Sequence, residues 1–314
     1  MEREPHFGQF ALRTLKPFAE QFPLQYLDGQ RGCKIAYRFF EHPAQDLGAR
    51  KLMLLVSGRA ENVLKWTEIA YDFYQQGFDV LAFDHRGQGY SQRLLRDPEK
   101  GHIDRFDYYL DDLDAVLHSV NQRYAYQQQV MLAHSMGGLI ATLYLAKYPH
   151  QFDKLILNAP LFALPLKNPR LDPILVSLMM LLGQGQRYVF GHTAYKPINP
   201  EHNDLSCCKT RMKWHNRINR RFPELHLGGP TFRWAHLCLL QFNKLPRAIG
   251  KIHLPVLLLQ AEKEVVVSNR QIEDYAKLFR NLRHEIIHNA KHEILFERDP
   301  IRTLAMEKIS DFLG

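Results

Sequence analysis

Seven short apolar runs, most of them separated by helix-period stretches, constrain the folding of this 314-residue chain more than any other feature. They are KIAYRF (34–39), KLMLLV (51–56), DVLAFD (79–84), QVMLAH (129–134), KLILNA (154–159), PVLLLQ (255–260) and HEIIH (284–288). Several are continuously apolar rather than alternating, as strands buried on both faces of a parallel sheet must be. The stretches 61–76, 105–124, 136–148, 269–282 and 299–313 carry helical periodicity. Strand alternating with helix predicts an α/β fold built on a doubly wound, mostly parallel sheet covered on both sides.

The alternation stops between residues 160 and 250. That span holds an apolar helical run, a Pro/Gly-rich link and a basic segment, with no clear strand, and it falls between two core strands. Residues 161–250 are therefore expected to form an inserted helical cap on a core made of 1–160 and 251–314. Such a cap would lie over the strand ends, where ligands bind in open α/β sheets.

The most informative stretch is QVMLAHSMGGLIATLYLAKYP, in which a strand ends at His134, Ser135 follows, and a helix begins at once. A-H-S-M-G is a nucleophile elbow with alanine in place of its first glycine. A serine on so sharp a turn takes strained dihedrals, and its neighbours two residues away must be small for strand and helix to approach. Ala133 and Gly137 meet that need. The turn also aims Oγ at a helix N-terminus, where free N–H groups stabilise developing negative charge. Ser135 is the candidate nucleophile; the bland alternative is a serine that only caps the helix.

A serine nucleophile needs a base. Where a serine elbow of this kind is used, the order along the chain is nucleophile, acid, histidine, so the base should follow the last strand. HEIIHNAKHEILFERDP supplies His284, His288 and His292. His292 stands past the strand in a short polar loop and is the candidate base, while the other two read as strand-end residues. The acid should follow the strand before it, where LLLQAEKEVVV (257–267) offers Glu262 and Glu264 but no aspartate.

These motifs resemble the monoacylglycerol-lipase-like serine hydrolases of the α/β-hydrolase fold. The resemblance rests on the elbow, DHRGQGYS (84–91), GHIDRFDYYLDDL (101–113) and AKHEILFE (290–297). VSGRAEN (56–62), GGPTFRW (228–234) and LLLQAEKEVV (257–266) bring it closest to the lysophospholipase branch, from residue 25 to the C-terminus. It implies hydrolysis of the remaining acyl ester of a lysophospholipid, with no cofactor or metal. Aligning the family's acid motif places Glu264 at the acid position, with Glu262 as the alternative. Where the wider family has His-Gly after the first core strand, this chain has Ser57-Gly58. The resemblance then makes the N–H groups of Arg59 and Met136 the oxyanion hole. A monoacylglycerol lipase or general carboxylesterase is the close rival, and a catalytically silent binding protein the distant one. DHRGQGYS reads as structural, with Asp84, Arg86 and Ser91 tying a Gly-rich turn together.

Charge bears on partners. Lys plus Arg exceed Asp plus Glu by 41 − 33 = 8, with a pI of 9.2, which suits an anionic partner. No nucleic-acid-binding signature accompanies the charge, so an anionic membrane surface is expected and nucleic acid is not. Residues 207–222, CCKTRMKWHNRINRRF, contain six Lys/Arg and no acid. On a helix, Lys209, Lys213, Arg217, Arg220 and Arg221 fall on one side as a candidate substrate or membrane contact. Cys208, Met212, Trp214, Ile218 and Phe222 fall on the other, with Arg211 breaking the apolar side.

The longest uncharged apolar run, ILVSLMMLL (174–182), is too short for a bilayer, which needs about 20 helical residues. The four cysteines match neither a disulfide framework nor a zinc site, and the N-terminus lacks the apolar region of a signal peptide. The expectation is a cytoplasmic protein peripherally attached to the inner membrane, of undetermined oligomeric state.

Overall fold

The computed structural model describes residues 2–43, 50–166 and 168–314. Its centre is one eight-stranded sheet: β1 (Gln25–Asp28), β2 (Lys34–Phe40), β3 (Lys51–Val56), β4 (Asp79–Phe83), β5 (Gln128–His134), β6 (Lys154–Asn158), β7 (Val256–Ala261) and β8 (Leu282–Ile287). The strand order is β1-β2-β4-β3-β5-β6-β7-β8. From β4 to β8 all neighbours are parallel, whereas β2 runs antiparallel to both β1 and β4.

The apolar runs become strands because each can bury both of its faces. Leu52, Leu54 and Val56 of β3 join a core layer with the helices Asp107–Asn121 and Met136–Lys147. Met53 and Leu55 join the opposite layer with Thr67–Tyr74 and Asp299–Leu313. Alternate side chains thus leave one strand in opposite directions and both find cover. The edge strand β8 departs from this pattern and leaves Ile286 exposed.

Two local differences from the sequence reading shape the site. The stretch 61–76 is helical only over Thr67–Tyr74. Before it, Asn62 Oδ1 accepts the Lys65 N–H (3.0 Å) and Glu61 Oε2 accepts the Gly58 N–H (2.5 Å), which holds 58–65 as a polar loop above β3. Side chains that bond to nearby backbone in this way compete with helix formation. The second difference is an unanticipated helical segment from Glu4 to Gln21, followed by the equally unanticipated β1.

That N-terminal segment is anchored by ion pairs and rings. Arg3 reaches Glu68 (3.1 Å) and Asp72 (2.6 Å). Phe7 packs edge-on to Trp214, and Phe18 stacks on Phe40. Arg211, which interrupts the apolar side of the basic helix, is the keystone of the same cluster. Its guanidinium bonds both oxygens of Glu68 (2.8 and 2.9 Å) and Asp299 (2.8 Å). Burial alone would raise the Glu68 carboxyl, but Arg302, Arg211 and Arg3 outweigh it and hold it down at about 2.

Between β6 and β7 lie the helices Leu171–Leu181, Lys209–Arg221, Phe232–Phe242 and Leu245–Ile249. The described residues of this span contribute no strand to the sheet. Its last helix, Leu245–Ile249, packs into the main core beside Met136–Lys147.

Candidate active site

β5 ends at His134 and a helix starts at Met136, leaving Ser135 between them at φ 51°, ψ −119°. A non-glycine residue persists there only when its surroundings over-determine it. Here the Ser135 N–H donates to the Asn158 carbonyl (3.1 Å), and its own carbonyl accepts the Leu161 N–H (2.9 Å). A Cβ on Gly137 would sit 2.0 Å from the Val56 carbonyl oxygen. The helix therefore crosses the end of β3 so closely that only glycine fits.

Three elements bring their side chains to this turn. His292 lies in the loop after β8, with Nε2 2.9 Å from Ser135 Oγ. Its Nδ1 is 2.7 Å from Glu264 Oε2, in the turn after β7. The other Glu264 oxygen accepts the N–H groups of Val266 (2.7 Å) and Val267 (3.2 Å). Burial pushes this carboxyl up, but His292 and the two backbone donors outweigh it and hold it below the ordinary glutamate range. An ionised carboxylate so placed keeps the imidazole proton on Nδ1 and leaves Nε2 free to accept the serine proton.

Glu262 goes elsewhere. It is exposed, accepting the Asn289 N–H (2.8 Å) and pairing with His288 (3.0 Å) on the surface. His284 bonds Gln260 within the sheet edge. His134, next to Ser135, is buried and pushed down to about 4 by desolvation, so it stays neutral beside the His292 ring.

Arg59 and Met136 both line the cavity that contains Ser135. Met136 opens its helix, so its N–H has no intrahelical acceptor. No backbone carbonyl of the described residues takes the Arg59 N–H. A Cβ on Gly58 would lie 3.1 Å from Ser135 Cβ, so glycine allows this loop to approach the serine. Gln88 holds the loop in place by donating to the carbonyls of Gly58 (2.8 Å) and Glu61 (3.1 Å). His85 bonds the Ser57 carbonyl (3.0 Å). DHRGQGYS is thus a brace: Asp84 accepts the Val63 and Tyr90 N–H groups, Ser91 bonds the Asp84 carbonyl, and Arg86 forks onto Asp112.

Several residues of the site carried no signal in the sequence reading. Lys65 bridges Glu61 (2.7 Å) and Glu293 (2.5 Å) in a fully buried row beside the serine. Burial would raise Glu61, but Lys65 outweighs it and keeps it ionised, while burial holds Glu293 above its ordinary range. His215 and Asn219 were equally unmarked, and both line the cavity. Lys65, His215 and Asn219 lie in no spacing that sets them apart from exposed polar residues.

The motifs VSGRAEN, GHID and GGPTFRW meet at one wall of the cavity. The Arg59 side chain donates to the Gly228 carbonyl (2.7 Å), and Gly101 pairs with Gly229 and Thr231 through backbone hydrogen bonds. The cavity, of 980 Å³, is otherwise mostly apolar, with Leu175, Val176, Leu225, Phe232 and Leu239 among its lining. A site of this size and character suits an amphiphile with a long apolar part.

The basic helix behaves differently from the reading that gave it substrate contact. Lys209, Lys213, Arg217, Arg220 and Arg221 do not line the serine cavity. Arg211, Met212, His215, Ile218 and Asn219 form the buried face, and the Arg211 ion pairs fix that orientation, turning the five cations to solvent.

A mostly parallel sheet with a serine elbow after β5, a carboxylate turn after β7 and a histidine loop after β8 defines an α/β-hydrolase. The solved structure of a soluble variant of monoglyceride lipase from Saccharomyces cerevisiae shares this fold, with a TM-score of 0.70 at 19% identity over 93% of this chain and 95% of that one. The chain belongs to the serine hydrolase family described as serine aminopeptidase, S33, which matches residues 48–299. It is 55% identical to the probable lysophospholipase L2 of Haemophilus influenzae, over 100% of this chain and 99% of that protein. It is 33% identical to lysophospholipase L2 of Escherichia coli K12, over 99% of this chain and 93% of that protein.

Proposed function

We propose that this protein is a lysophospholipase that cleaves the single acyl ester of its substrate through an acyl-enzyme on Ser135. The observation that carries the mechanism is the unbroken hydrogen-bond row from Ser135 Oγ through His292 to Glu264. In this reading Oγ attacks the ester carbonyl as His292 Nε2 takes its proton, and the N–H groups of Arg59 and Met136 receive the oxyanion. Each such donor contributes about 3 kcal/mol of transition-state stabilisation. His292 then protonates the departing glycerophosphodiester oxygen. Water, deprotonated by the same imidazole, releases the fatty acid and restores Ser135. The names of the two relatives support the substrate class.

One feature favours a phosphodiester substrate over a neutral monoacylglycerol. The Arg59 guanidinium lines the cavity, bonds the Gly228 carbonyl and has no carboxylate within ion-pair reach among the described residues. A guanidinium in the wall of the serine cavity that is not committed to a carboxylate matches an anionic headgroup. Arg59→Met keeps the backbone N–H and removes only the fork. A hydrogen bond to a charged group contributes about 1.5–3 kcal/mol, so kcat/KM for lysophosphatidylethanolamine should fall roughly 10- to 150-fold. Monoacylglycerol turnover should be nearly unchanged. A panel of both lipids with wild type and variant tests this; equal losses on both would leave the protein a general acylglycerol esterase.

The proposal extends to location: residues 161–250 serve as a cap, and the protein works at an anionic membrane surface, peripherally on the inner membrane. Two surfaces support this. Lys213, Arg217, Arg220 and Arg221 surround a shallow depression without an acid in its lining. Leu171, Ile174, Leu178, Leu181 and Leu182 are exposed on one helix and its end, whose Leu175 and Val176 line the serine cavity. No helix among the described residues is long and apolar enough to cross a membrane. Co-sedimentation with liposomes should strengthen with anionic lipid, weaken with salt and drop when the four cations become glutamine. Binding indifferent to all three would remove the electrostatic part of the proposal.

A further inference from the structure

A second cavity, of 610 Å³, lies between the N-terminal helical segment and the basic helix. It is separate from the cavity of Ser135, and among the described residues only His215 lines both. Phe7, Leu15, Met212, Ile218 and Phe296 make much of its wall apolar, and the two carboxylates in the lining are already paired, Glu20 with Lys16 and Glu68 with Arg3, Arg211 and Arg302. Its size lies within the range of roughly 300–1,000 Å³ of small-ligand sites.

Arg38, projecting from β2, also lines this cavity, and it is only 9% exposed. Its terminal nitrogen donates to the Ala19 carbonyl, while its Nε has no partner among the described residues. Among the described residues, no carboxylate comes within ion-pair reach of it. Other buried cations differ: Arg50 holds Asp79, Arg86 holds Asp112, Arg211 holds Glu68 and Asp299, and Lys65 holds Glu61 and Glu293. Asp84 is felt by Arg38, but its two oxygens are committed to the N–H groups of Val63 and Tyr90. Two further cations, Arg217 and Arg221, stand exposed where the cavity lining meets solvent.

A buried guanidinium left without an anion is costly, and the cost is relieved by a ligand that supplies one. An apolar groove with such a group in its wall matches an amphiphile carrying a single carboxylate. We propose that this cavity binds a long-chain fatty acid, with the carboxylate at Arg38 and the alkyl chain between the N-terminal segment and the basic helix. Only the source of the acid rests on the proposed function, since lysophospholipid hydrolysis releases it. The binding chemistry stands on the cavity itself.

The test uses the full chain with Ser135 first capped by a hexadecyl fluorophosphonate, so that the catalytic cavity is filled. Calorimetric titration with palmitate should then still show one site per chain. Arg38→Met should weaken that binding at least tenfold, and hexadecanol, which lacks the carboxylate, should bind more weakly and ignore the substitution. Leu12→Trp, at the exposed edge of the groove, should weaken both ligands, and it decides the matter if Arg38→Met does not fold. Loss of all palmitate binding on capping, or affinity indifferent to both variants, would overturn the proposal. If Ser135 does not take the probe, the hydrolase reading is what fails, and the same titrations on unlabelled protein still judge the cavity.

Discussion

Ser135→Ala should lower lysophospholipid hydrolysis on the order of 10⁵- to 10⁶-fold and abolish labelling by a fluorophosphonate probe. The size of the effect follows from geometry. Ser135 Oγ lies at hydrogen-bond distance from an imidazole that is itself held by Glu264, so in the proposed mechanism removing the hydroxyl leaves only the oxyanion donors and binding. Alanine can occupy the same strained backbone, because the hydrogen bonds that hold it run to Asn158 and Leu161 rather than to the side chain. Near-native thermal unfolding should therefore accompany the loss. Probe labelling that survives the substitution would remove Ser135 from the mechanism.

Glu264→Gln should cost about 10⁴-fold in turnover, the scale of an imidazole held in the wrong tautomer. The structure explains why an isosteric change is so damaging here. The N–H groups of Val266 and Val267 both point at Oε1, so the glutamine carbonyl must stay with them. Its amide then faces Nδ1 as a donor, which drives the imidazole proton to Nε2, where it can no longer accept from Ser135. Glu262→Gln removes only surface contacts with Asn289 and His288 and should leave turnover near that of wild type. Steady-state kinetics on the pair, with circular dichroism to confirm folding, separate the two glutamates. Comparable losses in both would show that neither has a special role.

Much of the fold could be read from the chain because burial leaves a one-dimensional trace. Strands covered on both faces need continuous apolar runs, as β3 to β7 have, and seven of the eight strands were anticipated from apolar runs of one kind or the other. The exception, β1, has only four residues, pairs with one neighbour and leaves Tyr26 in solvent, so no apolar run was required of it. The N-terminal segment was hidden for a related reason. Its order comes from Arg3 on Glu68 and Asp72 and from Phe18 on Phe40, all contacts between residues far apart in sequence.

The site divides in the same way. The elbow announces itself because strained backbone and close approach require small residues at fixed offsets, and Ala133 and Gly137 supply them. His292 could be singled out by its place after the last strand. The two turn glutamates, by contrast, have the same charge and stand two residues apart. Only the path of the backbone after β7 buries Glu264 against His292 and leaves Glu262 in solvent. The basic helix likewise displays its cations in the sequence, but the orientation of its faces is set by Arg211 reaching Glu68 and Asp299.

By itself, then, the sequence determined the parallel sheet and the turn that carries Ser135, since each depends on local spacing. The tertiary structure decided which glutamate meets the histidine, that Lys65 sits between Glu61 and Glu293, and that Arg38 lines a cavity with no carboxylate of the described residues in ion-pair reach. Those outcomes depend on which distant side chains share a desolvated volume, and no local pattern encodes that.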